Sequence, residues 1–575
     1  MKTNGGAVLA HALRAQGVSD AFVLHGGHLD AFLVACAEES IRLTDTRHEA
    51  TAGHAAAAYA RATADVGVCA ITAGPGFTNA LTAIADAHLD AAPVLFITSS
   101  PPLREVETNV LQGGLDQIAM ALPVTKWAHR VTHVERIPDL VDKAIRIALS
   151  GRPGPVLLEV PIDIVFAPLE HELTYPTRTA PRAKPALDPG TADRILRLLA
   201  EAERPAIIVG GGMLFSPDSG RELAAFAEAT GIPVVYSSKA NGVLPVEHPY
   251  NLGNVGAIAA AAAGAKQPAD VVLQVGARAG MALGGRSGAI VSHEATLIHI
   301  DIDGAELGRI DTPVISAIAD AGESFAALNR GLADRPVSAP TGWVELLRKL
   351  RARTAGRFGD VAPHTDSGYI HPHHAAAAVA AALDPDTAIS YDGGETPAWF
   401  VPLCTAPGPG LATGNGYLGT LGVGQGFAIG LAIARPGRPV ATVIGDGAVG
   451  FHLSEFDTMA RHNLPITTIV FNNGAWGISR HGQELVFGEQ NLAVVDLERT
   501  AYHEAARALG CEGVEVDRIE DLAPAIRKAQ ESGRPTCVNV MIDRDLIHPN
   551  IVAMVGYSDR EDEIAIPYYE NIPVR

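Results

Sequence analysis

Apolar positions along the chain fall into two periods. Short apolar runs bounded by Pro, Gly or charge occur at Ala21 to Leu24, Val66 to Thr72, Pro93 to Thr98 and Pro155 to Val160, with amphipathic segments of helical spacing between them. Such alternation predicts a parallel sheet covered by helices on both faces. The rhythm restarts at Pro205 to Val209, Pro233 to Tyr236, Val271 to Val275 and Thr296 to Ile302, and again at Thr387 to Tyr391, Pro439 to Ile444, Pro465 to Phe471 and Pro535 to Met541. An α/β chain of three doubly wound parallel-sheet domains is expected, over 1–168, 190–335 and 368–542. The Pro-rich stretch Pro168 to Pro189 reads as a linker, 336–367 as a connector helical around Trp343 to Ala355, and 543–575 as a C-terminal extension without clear period.

The first and third blocks share an internal order. In the first, an Ala-rich helix (His54 to Ala62) leads to a strand, the turn Gly74-Pro75-Gly76, a helix (Phe77 to Ala87) and a further strand. In the third, a helix (Gly426 to Ala434) leads to a strand, the turn Gly445-Asp446-Gly447, a helix (His452 to Arg461) and a further strand. Two similar domains bracketing a third is the reading.

Composition narrows the partners. With 575 residues and 47% hydrophobic content there is room for several cores. The excess of 64 Asp+Glu over 44 Lys+Arg, net −20, argues against a nucleic-acid or polybasic membrane partner. Five scattered cysteines without CxxC spacing suggest neither disulfides nor a zinc site, and a reducing cytoplasm fits. The longest apolar stretch, near Ala257 to Ala265, falls short of the about 20 residues that a membrane span needs, and the start lacks a signal-like core.

Gly445-Asp446-Gly447 ends one predicted strand and Asn472-Asn473 ends the next. In an open parallel sheet both ends lie on the carboxyl edge, so the Asp446 carboxylate and Asn473 amide oxygen can converge. Hard oxygen ligands suit Mg²⁺, whose shell is commonly completed by phosphate oxygens, so a Mg²⁺-bridged diphosphate is the natural ligand. A second constellation lies in the first block: His25-Gly26-Gly27-His28 after a strand, and Arg47-His48-Glu49-Ala50 opening a helix.

With these motifs the chain resembles the thiamine-diphosphate-dependent pyruvate oxidase and decarboxylase superfamily over essentially its whole length. Leu24-His25-Gly26-Gly27-His28, Asp45 to Ala50, Gly76-Phe77-Thr78-Asn79-Ala80, Leu111-Gln112 and Lys126 to Arg130 resemble benzaldehyde lyase and the 2-hydroxyacyl-CoA lyases. The resemblance implies that Glu49 hydrogen-bonds the cofactor's aminopyrimidine ring and promotes deprotonation of the thiazolium carbon. It implies that Leu421 props the bent cofactor, that the Gly419 carbonyl receives its amino group, and that Gly393 and Gly394 approach the diphosphate. Asn415, Gly445, Gly447, Ala448, Trp476 and Gly477 complete the implied cofactor set, and the Ala475 carbonyl joins Asp446 and Asn473 on the metal. His28 would exchange a proton at the reacting carbon, Gln112 would donate to the substrate hydroxyl or oxyanion, and His25 would be catalytic or pack behind. In this fold the pyrimidine and diphosphate are held by different subunits, which implies a homodimer at least and commonly a homotetramer.

Two departures bear on substrate. Benzaldehyde lyase carries a Tyr and a His where this chain places Pro397 and Asn415, which disfavours aryl aldehydes. The proton-shuttling Glu of the acyl-CoA lyases falls at Ala493, leaving Glu489 or water to substitute. The resemblance further implies that the central block binds the adenine nucleotide part of CoA or a separate ADP, with Arg152, Arg278, Arg286 and Asp301 as candidate contacts, and that Pro567-Tyr568-Tyr569-Glu570-Asn571 forms a lid. The expected activity is reversible cleavage of a short 2-hydroxyacyl-CoA into formyl-CoA and an aldehyde or ketone. The alternatives are an aldehyde lyase or acyloin carboligase without CoA, an oxalyl-CoA or 2-keto acid decarboxylase, and a catalytically silent relative. The run Gly422-Val423-Gly424-Gln425-Gly426 matches a nicotinamide or flavin pattern but follows no predicted strand.

Overall fold

The computed structural model describes residues 4–169, 171–178 and 183–555, together with the backbone of a short strand pair at 563–564 and 572–573. The aromatic positions Tyr557, Tyr568 and Tyr569 and the expected lid segment lie outside the described residues.

Three six-stranded sheets carry the chain, and every strand pairing within them is parallel. The first contains β1 (Asp20–Val23), β2 (Arg42–Asp45), β3 (Gly67–Ile71), β4 (Val94–Ser100), β5 (Trp127–Arg130) and β6 (Val156–Pro161), in the order β2-β1-β3-β4-β6-β5. The second contains β7 (Pro205–Val209), β8 (Val234–Tyr236), β9 (Asn251–Asn254), β10 (Val271–Val275), β11 (Thr296–Asp301) and β12 (Ile315–Ile318), in the order β12-β11-β10-β7-β8-β9. The third contains β13 (Ala388–Asp392), β14 (Ala412–Gly414), β15 (Val440–Gly445), β16 (Ile466–Asn472), β17 (Glu512–Val516) and β18 (Thr536–Met541), in the order β14-β13-β15-β16-β18-β17. The first and third sheets have the same relative strand order. The second has the order of dinucleotide-binding folds, whose switch point lies between β7 and β10. The predicted α/β class with three parallel sheets is the observed one.

The helices that position the site are α1 (Glu49–Thr63), α2 (Pro75–Leu89), α3 (Thr341–Ala355), α4 (Val423–Ala434), α5 (Glu455–Arg461) and α6 (Gly477–Phe487). The helix expected over His452 to Arg461 is broken: a 3-10 turn ends at His452 and α5 starts only at Glu455. The helix expected inside a connector, α3, instead packs on the second sheet, burying Trp343 and Leu347 and donating the Trp343 indole N–H to the Pro205 carbonyl at 2.9 Å. Among the described residues no helix is long and apolar enough to cross a membrane.

The first and third sheets are joined by α1 and α4. Alanine supplies high helix propensity and almost no bulk along α1, which starts from the His48 cap and ends at Ala64 in the left-handed conformation. Helix α4 carries glycines that each cost about 1 kcal/mol relative to alanine in a helix. Their return is proximity: a Cβ on Gly430 would stand 2.2 Å from the Ala55 carbonyl oxygen, and one on Gly426 2.9 Å from the His54 Cβ. The two helices therefore touch backbone to backbone at Gly430, and one apolar core runs continuously from Phe22 and Phe77 to Phe427 and Phe456. Replacing Gly430 by Val should force these helices apart and destabilise the chain by about 3 kcal/mol or more. Chemical denaturation checks this; an unchanged midpoint would contradict the packing account.

Candidate functional site

The third sheet builds one half of the site at its carboxyl edge. Gly445 closes β15 and Asn472 closes β16, and these neighbouring strands bring Asp446 and Asn473 to the same rim. Between them and the end of β13 lies a cavity of about 70 Å³. Of the cofactor and metal residues expected in this domain, all line it except Asn415 and Gly419. Asn415 donates its side-chain N–H to the Gly393 carbonyl at 3.3 Å and faces the neighbouring cavity described below, and Gly419 is exposed.

The donor set is made of oxygens. Asp446 is 2% exposed and accepts the Gly474 amide at 2.9 Å on Oδ2, and burial pushes its pKa up to about 6 against the backbone N–H groups of Gly447 and Gly474. The Asn473 side-chain oxygen accepts the Ala475 amide at 3.1 Å. A desolvated carboxylate next to an amide oxygen and a backbone carbonyl has the chemistry of a hard divalent-cation site, where the ion's charge offsets the desolvation cost. Among the described residues there is no cluster of three His, Cys, Asp or Glu that could hold a metal. Gly393, at φ 111°, and Gly447 keep the rim free of side chains; a Cβ on Gly447 would lie 2.5 Å from the Trp476 ring.

Four residues of this cavity were not expected: Glu395, Thr396, Ile478 and Ser479. Glu395 is buried, accepts the His548 amide at 2.8 Å and pairs with His481 Nδ1 at 2.8 Å. That pairing raises the His481 pKa against the effect of burial. Neither partner carries a motif; sequence adjacency of Glu395 to Gly393-Gly394 was the one available signal.

The first domain builds the other half. Glu49 is the first residue of α1, is 7% exposed, and accepts the Asn79 amide at 3.0 Å from the start of α2. Gly76 packs against it, a Cβ there standing 3.6 Å from Glu49 Oε1. His28 sits on a turn after β1, and burial lowers its pKa. Gln112 adopts φ 62°, packs on Gly74, and has a buried side-chain oxygen with no hydrogen-bond partner among the described residues. His25 is largely exposed and pairs with Asp30 at 2.8 Å. Glu489 is exposed on a turn after α6 and does not line the cavity; Ala493, also exposed, is held at both backbone groups by the Gln483 side chain. None of the residues lining the cavity at Asp446 precedes Gly393, so Glu49, His28 and Gln112 of the same chain lie outside its lining.

Comparison with known proteins assigns all three sheets. Residues 3–120 match the family described as "Thiamine pyrophosphate enzyme, N-terminal TPP binding domain", 192–328 match its central domain and 392–540 its C-terminal TPP binding domain. The chain belongs to the thiamine pyrophosphate enzymes. Among its relatives, the acetolactate synthase large subunit IlvG of Mycobacterium tuberculosis is 33% identical over 95% of this chain and 97% of its own length. Human 2-hydroxyacyl-CoA lyase 2 is 31% identical over 94% of this chain and 90% of its own, and acetolactate synthase isozyme 1 large subunit of Escherichia coli is 31% identical over 94% of each. For a thiamine pyrophosphate enzyme the residues present fit the cofactor: a side-chain-free rim and oxygen donors in the third domain, and a buried acid in the first.

A second, larger cavity of about 220 Å³ lies where the three domains meet. Arg152, Arg278 and Asp301 line it, whereas Arg286 is exposed and stands outside its lining. Sequence reading missed Arg61, Asp90, Lys239 and Tyr417 here. Lys239 lies just beyond the carboxyl end of β8, so the rule that located Asp446 could have found it. Asp90 is fully buried and is shared by Arg61 at 3.3 Å, by Lys239 and, at 3.9 Å, by Arg278. The Arg278 guanidinium stacks over Tyr417 at 4.2 Å. Burial pushes Asp301 up to about 6, and burial together with the nearby Arg61 brings Lys239 down to about 8 despite the pull of Asp90.

Replacing Gly447 by Ala should push the Trp476 indole off the rim. A change in the tryptophan emission that W476F removes is the expected result, with a stability loss of about 1–3 kcal/mol. Emission identical to the parent protein would show that the contact is not close.

Proposed function

We propose that this thiamine pyrophosphate enzyme is a lyase that reversibly splits a short 2-hydroxyacyl-CoA into formyl-CoA and an aldehyde or ketone. The observation that carries the reading is the second cavity. Its walls bring Arg152, Lys239 and Arg278 to the carboxyl edge of a sheet with dinucleotide-binding order, where a phosphate-bearing adenosine arm such as that of CoA, or a separate ADP, finds cations and the Asp301 carboxyl for the ribose. The similarity to 2-hydroxyacyl-CoA lyase 2 supports it. A second reading, condensation of 2-keto acids, is favoured by the acetolactate synthase relatives.

In this reading Asp446, Asn473 and the Ala475 carbonyl hold Mg²⁺, and the Gly393 and Gly445-Asp446-Gly447 rims receive the diphosphate. Bound thiamine diphosphate supplies an electron sink for the carbon–carbon bond that breaks. Glu49 holds the proton relayed at the pyrimidine end and Asn79 fixes its carboxylate. His28, with its pKa lowered, exchanges a proton with the substrate oxygen as a neutral imidazole, and the Gln112 amide donates to the developing oxyanion. Leu421 and Trp476 present apolar surface that excludes water. Because no first-domain residue lines the Asp446 cavity of its own chain, this reading has a second copy supply Glu49 to each Asp446 site, so a homodimer is the smallest active unit, with a homotetramer and a cytoplasmic setting as further expectations.

Formyl-CoA incubated with acetone or a short aldehyde should yield 2-hydroxyacyl-CoA, and E49Q should lower the rate by about 100-fold or more. Acetolactate from pyruvate, with no CoA adduct, would establish the second reading instead. Since an anionic arm binds best to protonated Lys239, the KM for acyl-CoA should rise as pH passes about 8, and K239M should remove that rise. A flat KM in the parent enzyme would place the arm elsewhere.

A further inference from the structure

The turn that precedes Glu49 is held by a different domain. Arg47 donates its backbone N–H to both carboxylate oxygens of Glu455, at 3.1 Å each, across 408 positions of sequence. Glu455 opens α5, the helix that follows the Gly445-Asp446-Gly447 loop, and is fully buried. The Thr458 hydroxyl also donates to it, at 2.6 Å, and the Thr51 side chain and the His48 backbone N–H lie against the same carboxylate. Among the described residues no cation pairs with it, and burial raises its pKa. A carboxylate desolvated without a counter-charge is costly to keep. What it faces here is the N-terminal end of α1, whose dipole favours an anion.

The rest of α5 clasps the same turn. Asp457 approaches Arg47 at 3.6 Å, Arg461 bonds the Asp45 carboxylate at 2.7 Å and the Asp45 carbonyl at 3.1 Å, and His462 reaches Asp45 at 2.8 Å. The His48 ring lies 4.9 Å from that of His452, whose Nδ1 donates to the Gly422 carbonyl at 2.8 Å, one residue from Leu421. The segment that builds the metal rim in this chain is thus the one that holds the base of its own Glu49.

We propose that Glu455 is a positioning residue for Glu49: its buried carboxylate pins the Arg47-His48 turn so that α1 starts in one register and aims the Glu49 carboxyl. On the reading above, in which Glu49 serves the site of a second copy, this contact ties the rim of one site to the acid of the other within a single chain. The exposed pairs around it, Arg461 with Asp45 and Asp457 with Arg47, add domain contact without fixing the α1 start.

Backbone hydrogen exchange in the full-length, cofactor-free protein tests the claim without relying on the reaction. E455A should speed exchange of the amides at 47–52 by at least about 10-fold while the strands of the first sheet keep their protection. R461A should leave 47–52 unchanged. E455Q retains one acceptor oxygen and should fall between the parent and E455A; it also serves if E455A fails to fold. In the assembled enzyme, with whichever substrate is turned over, E455A should lower kcat with little change in KM, and E49Q/E455A should be no slower than E49Q alone, because Glu455 acts through Glu49. Unchanged exchange at 47–52 in both Glu455 variants would overturn the proposal. So would loss of protection spread evenly over the chain, or an R461A effect equal to that of E455A. If neither proposed reaction is detected, the functional reading fails while the exchange result still decides the role of Glu455.

Discussion

The contact between α1 and α4 determines how the two cofactor-binding domains face each other. Helix α1 begins with the acid of one half-site, and α4 begins one residue after the Leu421-Gly422 step that edges the other half. Because Gly426 and Gly430 let the α1 backbone approach to where a methyl group would collide, the two sheets have essentially one relative placement open to them. The Glu455 contact then operates at the end of the same helix pair, turning a close-packed interface into a fixed origin for α1.

Within that frame the chemistry divides by charge. The cavity at Asp446 presents a buried carboxylate and an amide oxygen, the donor chemistry of a hard cation. The larger cavity is lined by Arg61, Lys239 and Arg278 around a shared Asp90, with Arg152 beside them, and on the proposed reading it takes the anionic carrier. Two anion-handling cavities at two carboxyl sheet edges are what an enzyme needs if its cofactor and its carrier both bear phosphate, and the cleft chemistry of parallel sheets accounts for both locations.

Sequence pattern revealed the interior of each sheet and not its borders. The twelve strands expected from apolar runs are the inner strands of the three sheets; the six not foreseen, β2, β5, β9, β12, β14 and β17, are all edges. An edge strand is paired on one side and often half exposed, so it needs no apolar run: Arg42-Leu43-Thr44-Asp45 and Glu512 to Val516 are mostly polar or partly exposed, Asn251 to Asn254 has a single apolar side chain, Leu252, beside a glycine, and Ala412 to Gly414 has three residues. In the site, Asp446, Asn473 and Glu49 were legible because each occupies a strand end or helix start with a fixed spacing. Glu395, Asp90 and Glu455 were not, because their significance comes from segments that meet only after folding. Glu489 shows the converse: the right residue type near the right motif, placed by the turn after α6 on the exposed surface.

A calorimetric titration of thiamine diphosphate into the metal-stripped full-length protein, with and without Mg²⁺, tests most directly whether the Asp446 rim holds the cofactor through a divalent ion. Saturable binding that requires Mg²⁺ and is lost in D446A is the predicted result. Absence of binding in the presence of Mg²⁺, or equal affinity in the metal-free protein and in D446A, would contradict it.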